Sequence, residues 1–195
     1  MGIIKVISNY FLNKGVYMIE DIIKADDTFS ESTFLSNVDH IFIMILGAIQ
    51  NNNIEDVRHY LANDVYVKFN NMVSEYKSKN ITRLFDEMNV KTSRITGSMI
   101  TDNFITVDVI LVSRYMDYFI NDKGKFVSGI NNRRIEKVHK ITLTKRRNAK
   151  HLEEARHCTY CGNVLDLNSS GLCKFCRKPF KMEDYGYLIT YIDEI

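Results

Sequence analysis

The chain has 195 residues, of which 45% are apolar, which is enough for one globular domain and a small additional module. The formal net charge is only +2, but residues 133–178 carry twelve Lys and Arg against four Asp and Glu, and both flanking segments are net negative. The longest apolar run, Ile41–Ile49, is far shorter than the ~20 residues that a bilayer crossing needs, so the sequence predicts no transmembrane span.

The first 24 residues place apolar side chains at helical spacing and predict one or two short amphipathic helices. Such an arm, taken as residues 1–27, can lie on a membrane surface or dock on a partner. It can also pack on its own domain or on a second copy of the chain. Packing is favoured because the arm has few basic residues for an interfacial helix.

The main domain is expected to begin at residue 28 with helices. Ser30 is a typical N-cap, and Phe29 and Phe34 are placed as a hydrophobic staple across it. A second apolar repeat predicts a continuous helix over Ile54–Lys79, and a third, short helix is predicted over Ile81–Met88.

From Val90 the apolar pattern changes to alternation, which predicts strands. The predicted strands are Val90–Ile100, Phe104–Asn121, Lys125–Gly129, Ile135–Lys145 and a closing strand, Tyr185–Ile192. Gly97 is a candidate β-bulge. Helices followed by an antiparallel sheet predict an α+β domain that spans residues 28–150 and is completed by residues 181–195.

All four cysteines lie in two Cys-x-x-Cys pairs between the last two predicted strands: Cys158, Cys161, Cys173 and Cys176. This spacing predicts one tetrahedral Zn²⁺ site in a ribbon at residues 151–180. Two disulfides or four unrelated thiols are the alternatives, but disulfides need an oxidising compartment and the sequence shows no secretory signal. Four thiolates leave no ligand position for water, so the predicted ion is structural. Because the sequence shows no secretory signal and its cysteines suit a metal, the expected setting is a reducing, cytoplasmic one.

Together with the cysteine pairs, four segments resemble a known family: Phe29–Val38, Tyr115–Phe119, Lys125–Gly129 and Tyr187–Ile192. In this order they are similar to the bacterial Tim44-like domain in its zinc-ribbon form, a relative of the C-terminal domain of the mitochondrial import motor's membrane anchor. The resemblance covers residues 28–195. Two positions depart from the family pattern, because Thr159 replaces a usual proline and Arg177 a usual glycine.

The resemblance implies a nuclear-transport-factor-2-like cone, in which helices and a curved sheet enclose an apolar cleft. It implies a non-catalytic role as a membrane-peripheral adaptor in protein translocation or as a ribosome-contacting receptor, and it carries the four cysteines over as metal ligands. The cleft is expected between the helix Ile54–Lys79 and the sheet, and it would receive an apolar segment or a lipid chain. The sequence shows no sign of the transmembrane or flexible N-terminal region common in the family, so constitutive membrane anchoring is not expected.

A basic block precedes the ribbon and is the candidate anionic-surface site: Arg133, Arg134, Lys137, Lys140, Lys145, Arg146, Arg147 and Lys150. Clustered cations attract the phosphates of anionic lipid or of RNA, although lysines on a solvated strand edge also prevent aggregation. Two aromatic residues of the ribbon, Tyr160 and Phe175, are expected to form its miniature core rather than a base-stacking platform.

An enzyme is not predicted. Asp108, Tyr115 and His139 lie on predicted strands, but no spacing links them into a catalytic set. The expected partners are an anionic membrane surface or a protein, with RNA or the ribosome as the alternative, and a homodimer through an apolar sheet face is compatible with the pattern. The expected location is the cytoplasm, peripheral to the inner face of the membrane.

Overall fold

The computed structural model describes residues 19–149, 157–158, 160–164, 172–178 and 185–195. Its helices are α1 (Ile19–Ala25), α2 (Glu31–Gln50) and α3 (Asn63–Ser78), with a 3₁₀ helix (Ile54–Tyr60) between the last two. Its strands are β1 (Ile81–Ile100), β2 (Phe104–Asn121), β3 (Phe126–Arg146) and β4 (Leu188–Glu194). The helices precede an antiparallel sheet, which confirms the α+β class.

The sheet is a meander with strand order β1-β2-β3-β4. Three register shifts interrupt the pairing of β1 with β2, and one of them, between Ile95 and Gly97, confirms the bulge at Gly97. Bulges bend a strand and increase its twist. The long strands therefore curve, and the helices lie against one face of the sheet, called here the inner face.

Helix α2 begins as the sequence predicts. The Ser30 hydroxyl accepts a hydrogen bond from the Thr33 backbone N–H, and the Phe29 and Phe34 ring centroids are 5.3 Å apart. The buried face of α2 consists of Phe34, Val38, Ile41, Phe42, Ile45, Leu46, Ala48 and Ile49. This face packs on the inner face of the sheet and forms the centre of the core.

Among the described residues, α2 is also the one helix that is long and apolar enough to cross a membrane by length and composition. In the structure, 44% of its most apolar window is buried inside the protein. Its apolar character is accounted for by the core it forms with the sheet.

The predicted continuous helix Ile54–Lys79 is wrong, because the helix is interrupted at Leu61 and Ala62. Leu61 forms a parallel bridge with Ile189, and the Ala62 N–H donates to the Ile189 carbonyl at 2.9 Å. The segment therefore forms a 3₁₀ helix followed by α3. Contact with β4, which lies far away in sequence, overrides the uninterrupted apolar period.

The predicted helix Ile81–Met88 is also wrong, since these residues form the first part of β1. They pair with the end of β2, from Ile81 opposite Asn121 onward. Asn80 adopts a left-handed φ of +52°, which stops α3 and turns the chain into the sheet. A short apolar run does not distinguish helix from strand, and here the partner strand decides.

Two predicted strands, Lys125–Gly129 and Ile135–Lys145, form a single strand, β3. Ile130 pairs with Asp117 and Ile135 pairs with Tyr115, so the intervening polar residues form a bulge rather than a break. The closing strand is shorter and later than predicted, at Leu188–Glu194. Of the predicted N-terminal arm, residues 1–18 lie outside the described residues, while Ile22 of α1 is fully buried in the core.

Two glycines provide a matched stability test. Gly129 has a φ of +101°, and a Cβ there would lie 2.5 Å from the Asp117 carbonyl oxygen and 2.5 Å from the Tyr118 Cα. Gly129→Ala is therefore expected to lower the free energy of unfolding by about 2–3 kcal/mol. Gly47, inside α2, has nothing within 4 Å of an added Cβ, so Gly47→Ala is expected to raise that free energy by about 1 kcal/mol.

Chemical denaturation of both variants measures the two changes. Equal effects from the two substitutions would contradict the left-handed, crowded backbone at Gly129.

Candidate metal centre and binding cleft

The four cysteine sulfurs lie within 4.8 Å of one another and could hold one metal ion. The Cys158 and Cys176 sulfurs are 3.7 Å apart, and the Cys161 and Cys173 sulfurs are 3.9 Å apart. A tetrahedral ion with metal–sulfur bonds of about 2.3 Å places its sulfurs about 3.8 Å apart. The four thiols, which form no disulfide, therefore fit a closed tetrahedral site.

The two Cys-x-x-Cys pairs form equivalent knuckles. In each, the N–H of the first cysteine donates to the carbonyl five residues later, at 2.7 Å from Cys158 and 3.0 Å from Cys173. The N–H four residues after that cysteine donates back to its carbonyl, at 2.8 Å in both knuckles. That fourth residue is left-handed in both cases, Gly162 with a φ of +72° and Arg177 with a φ of +57°. The second knuckle keeps the regular turn although it lacks glycine.

The knuckle backbone also favours thiolate, the form that binds metal. The N–H groups of Tyr160 and Cys161 point at the Cys158 sulfur and lower its pKa to about 7. The N–H of Lys178 favours the Cys176 thiolate too, but desolvation and hydrogen bonds with the other three thiols outweigh it and raise the Cys176 pKa to about 11. A cation at the centre of the four sulfurs would favour loss of the thiol protons.

A cleft of about 170 Å³ lies between α2, α3 and the inner face of the sheet. Its apolar walls are Phe42, Ile45, Leu46, Ile49, Phe69, Met72, Phe85, Tyr115 and Ile192. A cavity of about 150 Å³ accommodates benzene, whereas drug-sized ligands occupy about 300–1,000 Å³. The cleft therefore has room for one large apolar side chain.

One end of the cleft is polar and carries compensated charges. Arg83 donates two hydrogen bonds to the Asp117 carboxylate, at 2.8 and 2.7 Å. The Lys137 ammonium lies 3.0 Å from Asp117 and 2.8 Å from Glu194. Burial favours a raised Asp117 pKa, but the hydrogen bonds and charges of Arg83 and Lys137 outweigh it and hold that pKa below its ordinary value. The Lys, Arg, Asp and Glu residues that line the cleft are Lys68, Arg83, Asp193 and Glu194, so their charges balance.

Of the three catalytic candidates considered from the sequence, Tyr115 and His139 line the cleft, whereas Asp108 does not. His139 lines the cleft, with its Nε2 3.1 Å from the Ser113 hydroxyl and its ring 4.7 Å from that of Phe42. Asp108 lies on the opposite face of the sheet and accepts a hydrogen bond from the Thr142 hydroxyl at 2.7 Å. Asp108 therefore cannot act together with the other two on one substrate in the cleft.

His139 is expected to make stability depend on pH. Burial lowers the pKa of His139 to about 4 from its ordinary value of 6.5, because the imidazolium loses its hydration. Between pH 6.5 and 4, the unfolded chain therefore binds a proton at this histidine that the folded chain does not bind. The free energy of unfolding falls as the pH drops through that window. The expected loss is on the order of 2–3 kcal/mol at the acid end.

Urea denaturation at several pH values measures this loss. His139→Gln keeps a hydrogen-bonding group for Ser113 but cannot titrate, so its stability should change less with pH. A wild-type slope retained in that variant would assign the effect to other groups.

A second, larger cavity of about 400 Å³ was not predicted from the sequence. It is lined by the aromatic cluster Phe29, Phe34 and Tyr187, and by a buried ion pair in which Lys145 lies 2.7 Å from Asp26. The Tyr187 hydroxyl is buried and has no hydrogen-bond partner among the described residues. These groups come from α2, the loop before it, β3 and the segment leading into β4, so no local sequence pattern could have indicated the cavity.

The predicted basic block does not form one surface. Lys137, Lys140 and Lys145 have side chains only 13%, 20% and 11% exposed, and each lies near a carboxylate: Asp117 and Glu194, Asp108, and Asp26, respectively. These three lysines are removed from the candidate surface because their side chains are mostly buried beside carboxylates.

Four exposed arginines of the block remain candidates: Arg133, Arg134, Arg146 and Arg147. The first pair is separated from the second by most of β3, roughly 40 Å for an extended strand. Arg134 lies 3.4 Å from Glu87. Lys150 is outside the described residues.

The expectation for the ribbon aromatics is wrong. Tyr160 is 51% exposed and Phe175 is 61% exposed, and Val164 is 64% exposed. The buried ribbon side chains among the described residues are the cysteines Cys158 and Cys173. The rings therefore face solvent rather than forming a miniature core.

A family model for the Tim44-like domain matches residues 17–154. The match includes α1 to β3 and ends before the four cysteines. No curated protein matches the chain.

Proposed function

The chain belongs to the Tim44-like domain family, and from this we propose that it is a non-catalytic adaptor linked to protein translocation, with a structural Zn²⁺ ion. The observation that carries the proposal is the cleft, which is apolar along its walls and charge-neutral at its polar end. A small apolar cleft suits the anchoring side chain of a partner protein. The curved sheet over helices is proposed to be a nuclear-transport-factor-2-like cone.

The size of the cleft favours a protein segment over a lipid chain. At about 170 Å³ it accepts one leucine-sized or phenylalanine-sized side chain, not an acyl chain. Met72 and Phe69 of α3 form one wall and Phe85 of β1 another, so an entering side chain would contact both helix and sheet. The partner is therefore proposed to present a large apolar residue on an otherwise polar segment.

Zinc is proposed because four thiolates at tetrahedral spacing match its preferred ligands. The residues that would hold the ion are Cys158, Cys161, Cys173 and Cys176. With all four positions filled by sulfur, the ion would supply folding energy to the ribbon and no chemistry. A reducing, cytoplasmic compartment would keep these thiols available for the metal.

Any membrane contact is proposed to be peripheral and weak. The exposed arginines of the basic block occur as two distant pairs, and each cation near an anionic surface contributes about 1 kcal/mol. One pair at a time would thus supply about 2 kcal/mol, and the attraction would fall with salt.

Binding of a labelled amphipathic peptide with a leucine face tests the cleft, measured by fluorescence anisotropy. Met72→Trp places a bulky ring in the cleft and is expected to weaken binding at least tenfold. Val67→Trp adds the same ring to an exposed position of the same helix, where Val67 is 42% exposed, and is expected to leave binding unchanged. Equal binding by wild type and Met72→Trp would overturn the proposal.

A further inference from the structure

The two ribbon knuckles present aromatic rings at equivalent positions. Tyr160 and Phe175 each stand immediately before the second cysteine of a knuckle, and the two knuckles share the same backbone hydrogen bonds. Both rings are more than half exposed. Because the four sulfurs converge within 4.8 Å, the cluster brings these two solvent-facing rings into one small module.

Cations lie beside one of the two rings. Lys174, Arg177 and Lys178 are exposed on the second knuckle, next to Phe175. Solvent-facing rings with cations beside them present a stacking face and a phosphate-binding face together.

We propose that the ribbon binds single-stranded nucleic acid, with bases stacked on Tyr160 and Phe175 and phosphates held by Lys174, Arg177 and Lys178. Base–aromatic stacking tolerates any sequence and requires unpaired bases, and clustered cations follow the backbone. A protein interface would more typically bury a continuous apolar patch depleted of charge, whereas here cations flank Phe175. Nucleic-acid binding by the ribbon is a separate function from partner binding in the cleft and does not depend on it.

The proposal predicts the size of both contributions. Three phosphate contacts give a slope of about −2 for log affinity against log salt, since each contact on a single strand contributes about 0.7. Loss of one stacked ring should weaken binding roughly tenfold. DNA and RNA strands of the same sequence should bind within a few-fold of each other, because neither contact uses the 2′-hydroxyl.

The test uses the full-length, zinc-loaded protein and fluorescein-labelled oligouridine and oligothymidine, measured by anisotropy across a salt series. Tyr160→Ala and Phe175→Ala should each weaken binding roughly tenfold, while Tyr160→Phe and Phe175→Tyr should retain it. Tyr191→Ala removes a ring that is 44% exposed on β4 and should have no effect. Metal content measured for every variant confirms that the ribbon remains assembled.

A second pair of substitutions keeps the test decisive if a ring variant loses its metal. Lys174→Gln with Lys178→Gln should reduce the salt slope by about 1.4, since two phosphate contacts are lost. Wild-type affinity in the Tyr160→Ala, Phe175→Ala double variant would overturn the proposal. An affinity independent of salt, or no binding to either strand at low salt, would also overturn it.

Discussion

Replacing Cys173 with serine is expected to abolish tight metal binding and to unfold the ribbon while leaving the main domain folded. Cys173 is 1% exposed, and its sulfur is one of four that converge on a single point. Structural zinc contributes on the order of 10–16 kcal/mol to small domains, and losing a ligand forfeits much of it. The core cluster of helices and sheet contains none of the cysteines, so its stability should change little.

Hydrogen exchange separates these outcomes, with fast exchange expected in residues 157–158, 160–164 and 172–178 and retained protection in the four strands. Asn163→Ala is the matched control, because it removes a side chain whose amide lies 3.6 Å from the Cys161 sulfur but keeps all four ligands. That control should weaken metal binding by roughly ten- to a hundredfold without unfolding the ribbon. Unchanged metal affinity in Cys173→Ser would contradict the four-sulfur site.

Replacing Asp117 with asparagine is expected to lower the free energy of unfolding by about 3–5 kcal/mol, because it leaves buried cations without their counterion. Asp117 is 9% exposed and binds both Arg83 and Lys137. The substitution keeps the shape of the side chain but removes its charge. Glu194 remains as the carboxylate of the cluster, and it is half exposed.

Asp193→Asn is the matched control, since Asp193 and its partner Lys68 are each 52% exposed and lie 3.4 Å apart. An exposed pair of this kind contributes at most about 1 kcal/mol. In the wild type, the lowered pKa of Asp117 means that its stabilising effect is present at neutral pH and is lost as pH falls below the ordinary value of 3.8. Equal losses from the two substitutions, measured by urea denaturation, would contradict a buried charge cluster.

The parts of the fold that were predicted correctly depend on local patterns. The strand Phe104–Asn121 has the predicted bounds because apolar alternation over that many residues has one structural solution. The cap at Ser30 and the turn after Asn121 follow from side chains that bond to their own neighbourhood. The cysteine pairs could be recognised because the Cys-x-x-Cys spacing is also a local pattern.

The parts that were missed depend on contacts between distant residues. The helix break at Leu61 results from pairing with Ile189, and the strand character of Ile81 onward results from pairing with the end of β2. The polar end of the cleft joins Arg83 to Asp117 across two strands. Sequence spacing carries no signal for any of these partners.

The burial of Lys137 and Lys145 could have been inferred. Both are odd-numbered residues of β3, as are the fully buried Ile141 and Leu143, and alternate residues of a strand share a face. The density of basic residues along residues 133–150 does not show this alternation between the two faces of the strand. The exposed rings at Tyr160 and Phe175 gave no such signal, because exposure within so short a ribbon depends on how the knuckles turn around the four sulfurs.

X-ray absorption at the zinc edge, combined with metal analysis of protein purified under reducing conditions without chelator, tests the closed metal site most directly. The expected result is one zinc per chain, bound by four sulfurs at about 2.3 Å, with no oxygen or nitrogen ligand. Protein that is folded and free of metal, or zinc bound with fewer than four sulfurs, would contradict the site formed by Cys158, Cys161, Cys173 and Cys176.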